Sequence, residues 1–166
     1  MANVNKITPA TFELAIANIP NTTTAETAEV VLQIFNTVIP SIDMSGIDVM
    51  WMATRAKRDS AASLDFQDWN ISFFINSDFS NWKTLHDWME YSVANPTPSS
   101  HETTAVLSVK NNFGVEVIKV FFANVWIKSL GEVTFNFQGG DDFLQGTAIF
   151  EYSRFDVYMP LGEITS

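Results

Sequence analysis

Alternation of apolar and polar residues dominates the chain and predicts strands that each bury one face. The pattern is clearest from Trp69 onward, where Ile71, Phe73 and Ile75 fall on one side of the segment. Residues 30–35 are apolar on both sides, so periodicity alone fits a buried strand or a short helix, and their β-branched content favours a strand. Further strands are predicted at 12–16, 47–51, 104–110, 115–122 and 132–138.

A single helix is predicted after Ser80, where the apolar spacing changes from two residues to three or four. Ser80 is the expected N-cap, and the prolines in 95–98 end the segment after about three turns. We interpret its apolar stripe as core packing rather than as a binding site, because burial of large rings holds an amphipathic helix in place. Four large residues form this stripe: Trp82, Leu85, Trp88 and Met89.

Turns and one very long strand organise the rest of the chain. Tight turns are expected at 111–114 and 139–142, which contain glycine, and the polar stretch 53–63 interrupts the strands. The strand predicted at 143–159 is unusually long, and its apolar parity slips after Ser153, which indicates a bulge or a sharp bend. With roughly seven or eight strands and one helix, the fold class is mainly β (α+β).

The composition is that of one folded domain. The 166 residues are 46% hydrophobic and 17% charged, which is too apolar for disorder and sufficient for one core. No apolar run is long enough to span a bilayer, and the first residues lack the layout of a secretion signal. The chain contains no cysteine, which excludes disulfides and thiolate chemistry. We therefore expect a protein that is made and folded in a cytoplasm, without membrane association.

The charge balance argues against specific nucleic-acid binding. Nineteen acidic residues against nine basic ones give a net charge of −10, which leaves no excess for a basic stripe. The bases cluster once, at Arg55, Lys57 and Arg58. This cluster fits a solvated loop, as charge runs usually do, or a contact with an acidic neighbouring subunit.

Candidate chemistry is scarce. His86 and His101 have no second histidine at metal-ligand spacing. The acids at 141–142 follow two glycines, which is the ordinary make-up of a hairpin tip rather than a calcium loop. Asp65 and Asp68 could serve a glycosidase in principle, but an acidic chain supplies such pairs by chance. We expect no enzyme activity, no cofactor and no metal site.

Six segments in a fixed order carry a family resemblance. They are 12–16 (FELAI), 32–42 (LQIFNTVIPSI), 64–74 (LDFQDWNISFF), 81–89 (NWKTLHDWM), 121–131 (FFANVWIKSLG) and 148–157 (AIFEYSRFDV). Together they resemble the tail tube family of contractile-tailed bacteriophages, which includes tube-like baseplate and neck proteins. The match covers about 12–158. The chain departs from the family at two places. Its turn reads Pro40-Ser41 where the family usually has Pro-Gly, and the segment 21–29 is a polar, Thr-rich insert.

The resemblance implies a fold and an assembly. A single domain over 1–166 should hold two packed antiparallel sheets with one helix, as a β-sandwich or half-barrel that closes into a large barrel on hexamerisation. An extended loop or hairpin is expected at about 46–65. Hexameric rings would stack into a tube that conducts DNA during ejection.

The resemblance also implies partners and a location. The tail sheath would lie outside the tube, the tape measure protein and DNA inside it, and baseplate and neck proteins at its ends. The location would be the virion tail, assembled in the host cytoplasm. In the family, the region corresponding to 46–65 contacts the adjacent ring, where Arg55, Lys57 and Arg58 would meet acids.

Acidic groups in such a channel would repel DNA phosphates, so that DNA passes without binding. We hypothesise that some of four acids face the lumen: Glu132, Asp141, Asp142 and Glu151.

Other functions remain open on the sequence. The chain could be a tube-like baseplate or neck ring protein, or the tube of a related secretion system. A lipocalin-like barrel that binds a small ligand also mixes strands with one helix, although its helix should follow all strands. A polysaccharide-binding or polysaccharide-cleaving sandwich would need exposed aromatic residues beside paired carboxylates.

Overall fold

The computed structural model describes residues 9–20, 28–51, 53–97, 101–135 and 143–160. Within these residues the chain forms nine strands and one helix. In chain order they are β1 (Pro9–Ile19), β2 (Ala28–Thr37), β3 (Ile42–Trp51), β4 (Thr54–Phe66), β5 (Trp69–Phe74), α1 (Ser80–Ala94), β6 (Thr103–Asn111), β7 (Glu116–Leu130), β8 (Gln145–Glu151) and β9 (Arg154–Tyr158). No helix among the described residues has the length and apolar character to cross a membrane.

Six strands form a closed antiparallel barrel in the order β6-β1-β2-β5-β8-β7, and β7 pairs back with β6. Strand β9 lies outside this ring on β7, and β3 pairs with β4 in a separate two-stranded sheet. The predicted mainly β class with one helix is confirmed. The two faces expected as packed sheets are joined edge to edge, because the long β7 pairs with both β6 and β8.

Aromatic side chains fill the barrel. The inward residues of β5, predicted from their alternation, are buried, with Trp69 and Phe73 fully enclosed. The Trp69 and Phe122 rings stack with centroids 3.9 Å apart, and Phe150 lies 5.8 Å from Trp69. The strict period of two places these rings on one side of strands that the barrel brings face to face. A lipocalin-like ligand barrel needs an open interior, which these rings occupy.

Helix α1 covers one end of the barrel. It contacts β2 and β7, which stand opposite each other in the ring of six strands. Its predicted packing stripe is the buried one: Leu85 and Trp88 are fully buried, while Trp82 and Met89 are partly buried against the core. The Trp88 indole Nε1 donates to the carbonyl of His101 at 2.8 Å, which satisfies this group inside the fold.

The start of α1 differs from the prediction. Ser80 is the first helical residue, and Phe79, with φ of 58°, occupies the N-cap position without a side-chain cap. The Ser80 N–H donates instead to the Asp78 carboxylate at 3.0 Å. The Asn81 side chain, which is buried, donates to the carbonyl of Phe74 at 2.8 Å and ties the helix to the end of β5. The helix runs for 15 residues, about four turns, and ends before Pro96 as expected.

Three strand predictions need correction. The single strand expected at 143–159 is divided into β8 and β9, and the break at 152–153 coincides with the slip in apolar parity. The described part of 132–138 is not a strand, because the chain leaves β7 after Leu130 and the Phe135 ring stacks on Phe79. The polar stretch 53–63 lies mostly within β4, which among the described residues pairs with β3 and with no strand of the barrel.

Replacing Gly146 with alanine is expected to lower the free energy of unfolding by about 1–3 kcal/mol. Gly146 is buried opposite Phe73 in the β5–β8 pairing, and an added Cβ would lie 2.9 Å from the Phe73 Cζ. Urea unfolding of Gly146→Ala against the exposed neighbour variant Gln145→Ala measures the difference. Phe73→Leu, made in the wild-type and the Gly146→Ala chains, should reduce the loss of stability that the alanine at 146 causes. Equal stability of Gly146→Ala and Gln145→Ala would contradict this packing.

Candidate assembly surfaces

The β3–β4 hairpin projects from the barrel. Its strands pair from Ile42↔Phe66 to Trp51↔Thr54, with a register shift after Met44. The two strands contact each other far more than they contact any other element. The hairpin includes the segment 46–65, for which the sequence suggests an extended loop or hairpin. A two-stranded ribbon has little stability of its own in water unless it packs against a further surface.

The hairpin exposes apolar side chains near its base. Ile42, Met44 and Leu64 are all about half exposed, and Met44 lies directly opposite Leu64 in the register. In a monomer these side chains would remain in water, at a cost of roughly 25 cal/mol for each Å² of apolar surface left uncovered. This base is therefore suited to an interface.

The three clustered bases lie on β4 close to the hairpin end. In the register, Arg55 is opposite Met50, Lys57 opposite Asp48, and Arg58 opposite Ile47. Five other basic residues in the described part of the chain form ion pairs within the subunit. These pairs are Lys83–Asp87, Lys110–Glu13, Lys119–Glu116, Lys128 with Asp68 and Glu151, and Arg154–Asp156.

Of the four acids suggested for a channel, the two that the structure describes lie at opposite ends of one strand pairing. Glu151 begins the β7–β8 pairing opposite Trp126, whereas Glu132 follows the other end of that pairing, where Leu130 meets Ala148. Glu132 is exposed. Asp141 and Asp142 lie outside the described residues.

The negative charge of Glu151 is paired with a lysine of the same subunit. The Lys128 ammonium donates to Asp68 at 2.8 Å and to Glu151 at 2.6 Å, which links β7 to β8 and to the residue before β5. The hydrogen bonds to Asp68 and then to Glu151 raise the pKa of Lys128. Of the two channel candidates that the structure describes, Glu132 therefore has the less compensated charge.

Tyr152 should hold its hydroxyl proton to a higher pH than an unfolded tyrosine does. The Tyr152 hydroxyl donates to the carbonyl of Gln67 at 2.8 Å, and burial, together with the negative Asp68, raises the pKa of Tyr152 to about 12. An unfolded tyrosine ionises near 10, so between these two pH values the folded chain holds a proton that the unfolded chain has lost. The stability contributed by this group is complete below about pH 10 and falls as pH rises toward 12.

Tyrosinate absorbance, recorded while the protein remains folded, should show a late transition, near pH 12, that belongs to Tyr152. The transition should disappear in Tyr152→Phe and persist in Tyr158→Phe, since Tyr158 is exposed. A curve for Tyr152→Phe that keeps the late transition would contradict the assignment.

Three possible metal ligands meet on α1. The ligand atoms of His86, Asp87 and Glu90 lie within 4.8 Å of one another, a juxtaposition that histidine spacing alone does not predict. Lys83 pairs with Asp87 one turn earlier, and this hydrogen bond lowers the pKa of the Asp87 carboxyl. The group is therefore an ion-pair network on a helix surface.

An aromatic row crosses the outside of the barrel. The rings of Phe35 and Phe74 are 4.8 Å apart, and those of Phe74 and Phe143 are 5.8 Å apart. Val31 lies on the same outer side of β2, exposed between buried neighbours. Sequence reasoning missed this row, although the segment 30–35, apolar on both sides, was a signal that β2 carries apolar side chains on its outer face as well.

Comparisons with known proteins place the fold. No family model and no curated protein matches the sequence. A chain of the anti-feeding prophage baseplate matches with a TM-score of 0.66 and 9% identity, over 95% of this chain and 98% of that one. A chain of the sheath/tube terminator of the extracellular contractile injection system PVC matches with a TM-score of 0.65 and 14% identity, over 94% and 99%. Hcp1 from E. coli EAEC 042 matches with a TM-score of 0.57 and 8% identity, over 93% and 94%.

These matches cover nearly the whole of each chain, so the likeness includes the barrel and the helix together. The chain therefore has the fold of tube-like proteins of contractile injection systems.

Proposed function

We propose that this chain is a structural subunit of a contractile tail, which forms hexameric rings that stack into a hollow tube. The observation that carries the proposal is the whole-chain likeness to chains of a baseplate, a tube terminator and Hcp1. The baseplate structure in that set is six-fold symmetrised. Ring closure is what cyclic symmetry gives to a head-to-tail contact between identical subunits.

The β3–β4 hairpin is the proposed contact between rings. It stands away from the barrel and exposes apolar residues at its base, both of which suit an arm that lies on a neighbouring subunit. The segment 42–66 carries three bases and four acids, a net −1, so the rest of the chain has −9 of the total of −10. Arg55, Lys57 and Arg58 near the hairpin end would therefore meet a strongly acidic neighbour.

The acidity of the ring is the proposed reason that DNA passes through the channel without binding. Six copies at −10 each would carry about −60 charges, and those that face the lumen would repel phosphates. Glu132, Asp141, Asp142 and Glu151 are the candidates for this role. A map of the assembled tube with all four on its outer wall would overturn the assignment.

The proposed partners and location follow from a tube. A sheath would surround it, a tape measure protein and DNA would occupy its channel, and baseplate and neck proteins would bind its ends. The particle would be a virion tail assembled in the host cytoplasm. The role is that of a scaffold rather than an enzyme.

A second candidate is a single ring at one end of the tube. The chain matches the baseplate and terminator chains with higher TM-scores than Hcp1, which favours this candidate. A baseplate or neck ring would use the same barrel and the same ring contacts, but it would not repeat along the tail.

Native mass spectrometry of the purified chain tests the proposal. Six copies of 18.6 kDa give about 112 kDa for one ring, and multiples of this mass for stacked rings. A single ring that never stacks would favour the end-ring candidate. A monomer at every concentration would contradict both.

A further inference from the structure

We propose that the ring closes through two particular surfaces: the aromatic row of one copy and the outer β7–β9 face of the next. The aromatic row consists of Val31, Phe35, Phe74 and Phe143. The β7–β9 face is defined by Phe121 and Tyr158, which the register places on the outer side of this pairing together with Lys119 and Asp156. This assignment rests on the proposed ring function, which by itself does not say which surfaces meet.

The first argument is position. In the barrel order β6-β1-β2-β5-β8-β7, strand β2 is three places from β7, so the two strands stand on opposite sides. The aromatic row lies on the side of β2 and β5, whereas the β7–β9 face lies on the other side. A head-to-tail ring requires two different surfaces on opposite sides of each subunit, and these two surfaces meet that requirement.

The second argument is exposed apolar surface. Val31 is 48% exposed and Phe143 78%, while Phe121 is 44% and Tyr158 53% exposed. Val31 and Phe121 lie between buried neighbours on β2 and β7, so these two side chains point away from the core. The β7–β9 register places Tyr158 on the same side as Phe121. Aromatic rings at the centre of a contact are the residues that most often dominate binding energy.

The third argument is charge. Copies with a net charge of −10 repel one another unless they meet where acids are absent or paired. Residues 30–37 and Trp69–Phe74 contain no charged residue. Glu13, which lines the same hollow as Val31 and Phe35, pairs with Lys110. On the β7–β9 face, Lys119 pairs with Glu116 and Arg154 with Asp156. Each surface is therefore close to neutral within an acidic chain, which selects a second copy as the occupant.

The fourth argument is the edge of β9. In the described part of the chain β9 pairs with β7 and with no other strand, so one of its edges has backbone groups without a strand partner. Such an edge invites pairing with other chains unless a neighbour covers it. A second copy seated on the β7–β9 face would cover this edge as well.

Two variants and their mixture test the assignment. The row variant, Val31→Asp/Phe143→Asp, and the face variant, Phe121→Asp/Tyr158→Asp, change exposed residues and add two negative charges each. Phe113→Asp/Val115→Asp is the matched control, because Phe113 and Val115 are exposed in the β6–β7 turn, outside both surfaces. Sedimentation velocity measures assembly, and circular dichroism checks folding. If an aspartate variant has an altered circular dichroism spectrum, the variant with serine at the same two positions is used in its place.

We expect the wild type and the control to form rings, and each variant alone to remain monomeric. A mixture of the two variants in equal amounts should form two-copy complexes and no rings, because each pair has one intact row facing one intact face. Rings from either variant, loss of rings in the control, or a mixture that stays monomeric would overturn the assignment while leaving the ring proposal in place. A wild type that forms no rings would overturn both.

The chain has no cysteine, which permits an independent measurement. Phe143→Cys/Tyr158→Cys, treated with a short bismaleimide, should give covalent species of up to six copies. Either single-cysteine variant should stop at two copies. No cross-linked species above two copies in the double variant, under conditions that give rings, would overturn the pairing.

Discussion

Replacing Trp69 with alanine is expected to lower the free energy of unfolding by about 3–5 kcal/mol. Trp69 is fully buried, and its ring stacks on Phe122 with an interplanar angle of 10°. Its indole Nε1 donates to the Thr37 hydroxyl at 3.1 Å, so the truncation also leaves a partly buried acceptor without this donor. The ring stands between β5 and β7, and its loss would open a cavity in the middle of the barrel.

Chemical denaturation followed by circular dichroism measures the loss. Trp126→Ala is the matched control, because Trp126 is only partly buried and lies between the buried Val125 and Ile127 on β7. Its truncation should cost clearly less. Equal losses for the two variants would mean that the barrel interior is not packed as described.

Replacing Arg55, Lys57 and Arg58 together with serine is expected to leave the subunit folded and to shorten or abolish tubes. These positions lie on β4 near the hairpin end, away from the barrel core. The substitution changes the net charge of the chain from −10 to −13 and removes the bases proposed to meet acids of the adjacent ring. Tube length in electron micrographs measures the effect, and the loss should be greatest at low ionic strength, where repulsion between acidic rings is least screened.

Lys83→Glu/Lys128→Ser is the charge-matched control. It also gives −13, but it removes bases that pair with acids inside the subunit and lie outside the row and the β7–β9 face. Exposed pairs of this kind contribute only about 0–1 kcal/mol each. This control should retain more stacking than the hairpin variant. Tubes of normal length from the hairpin variant would exclude the bases from the contact between rings.

The sequence predicted those elements that bury one face against the core. Trp69, Ile71 and Phe73 alternate strictly because the barrel wall has an inside and an outside, and both Trp82 and Trp88 follow the helical spacing of α1. Alternation did not predict strand β4, which among the described residues pairs with β3 and lies outside the barrel wall. Alternation reports strands of a wall that has a core side and an outer side.

Closure of the barrel could not be predicted for a different reason. It depends on pairing between distant residues, such as Trp69↔Phe150 and Thr37↔Ile71, and alternation does not specify which strands become neighbours. The division between β8 and β9 had a local signal, since the apolar parity slips after Ser153. That signal marked the break without showing that β9 would pair with β7 outside the ring.

The candidate surfaces also differ in whether the sequence alone predicts them. The basic cluster on β4 is visible in the sequence because three bases are close together in an acidic chain. The aromatic row is not, because Phe35, Phe74 and Phe143 come from three separate segments and meet only in the folded barrel. A surface formed by one strand can be predicted from the sequence. A surface formed by several strands can be predicted only when the pairing register of the strands is known.

Negative-stain electron microscopy of the purified wild-type chain at high concentration tests the central claim most directly. The account predicts rings with six-fold symmetry and a central hole, either single or stacked into tubes. Stacks would identify a repeating tube subunit, and single rings an end ring. Compact particles of one subunit, without rings at any concentration, would contradict the account.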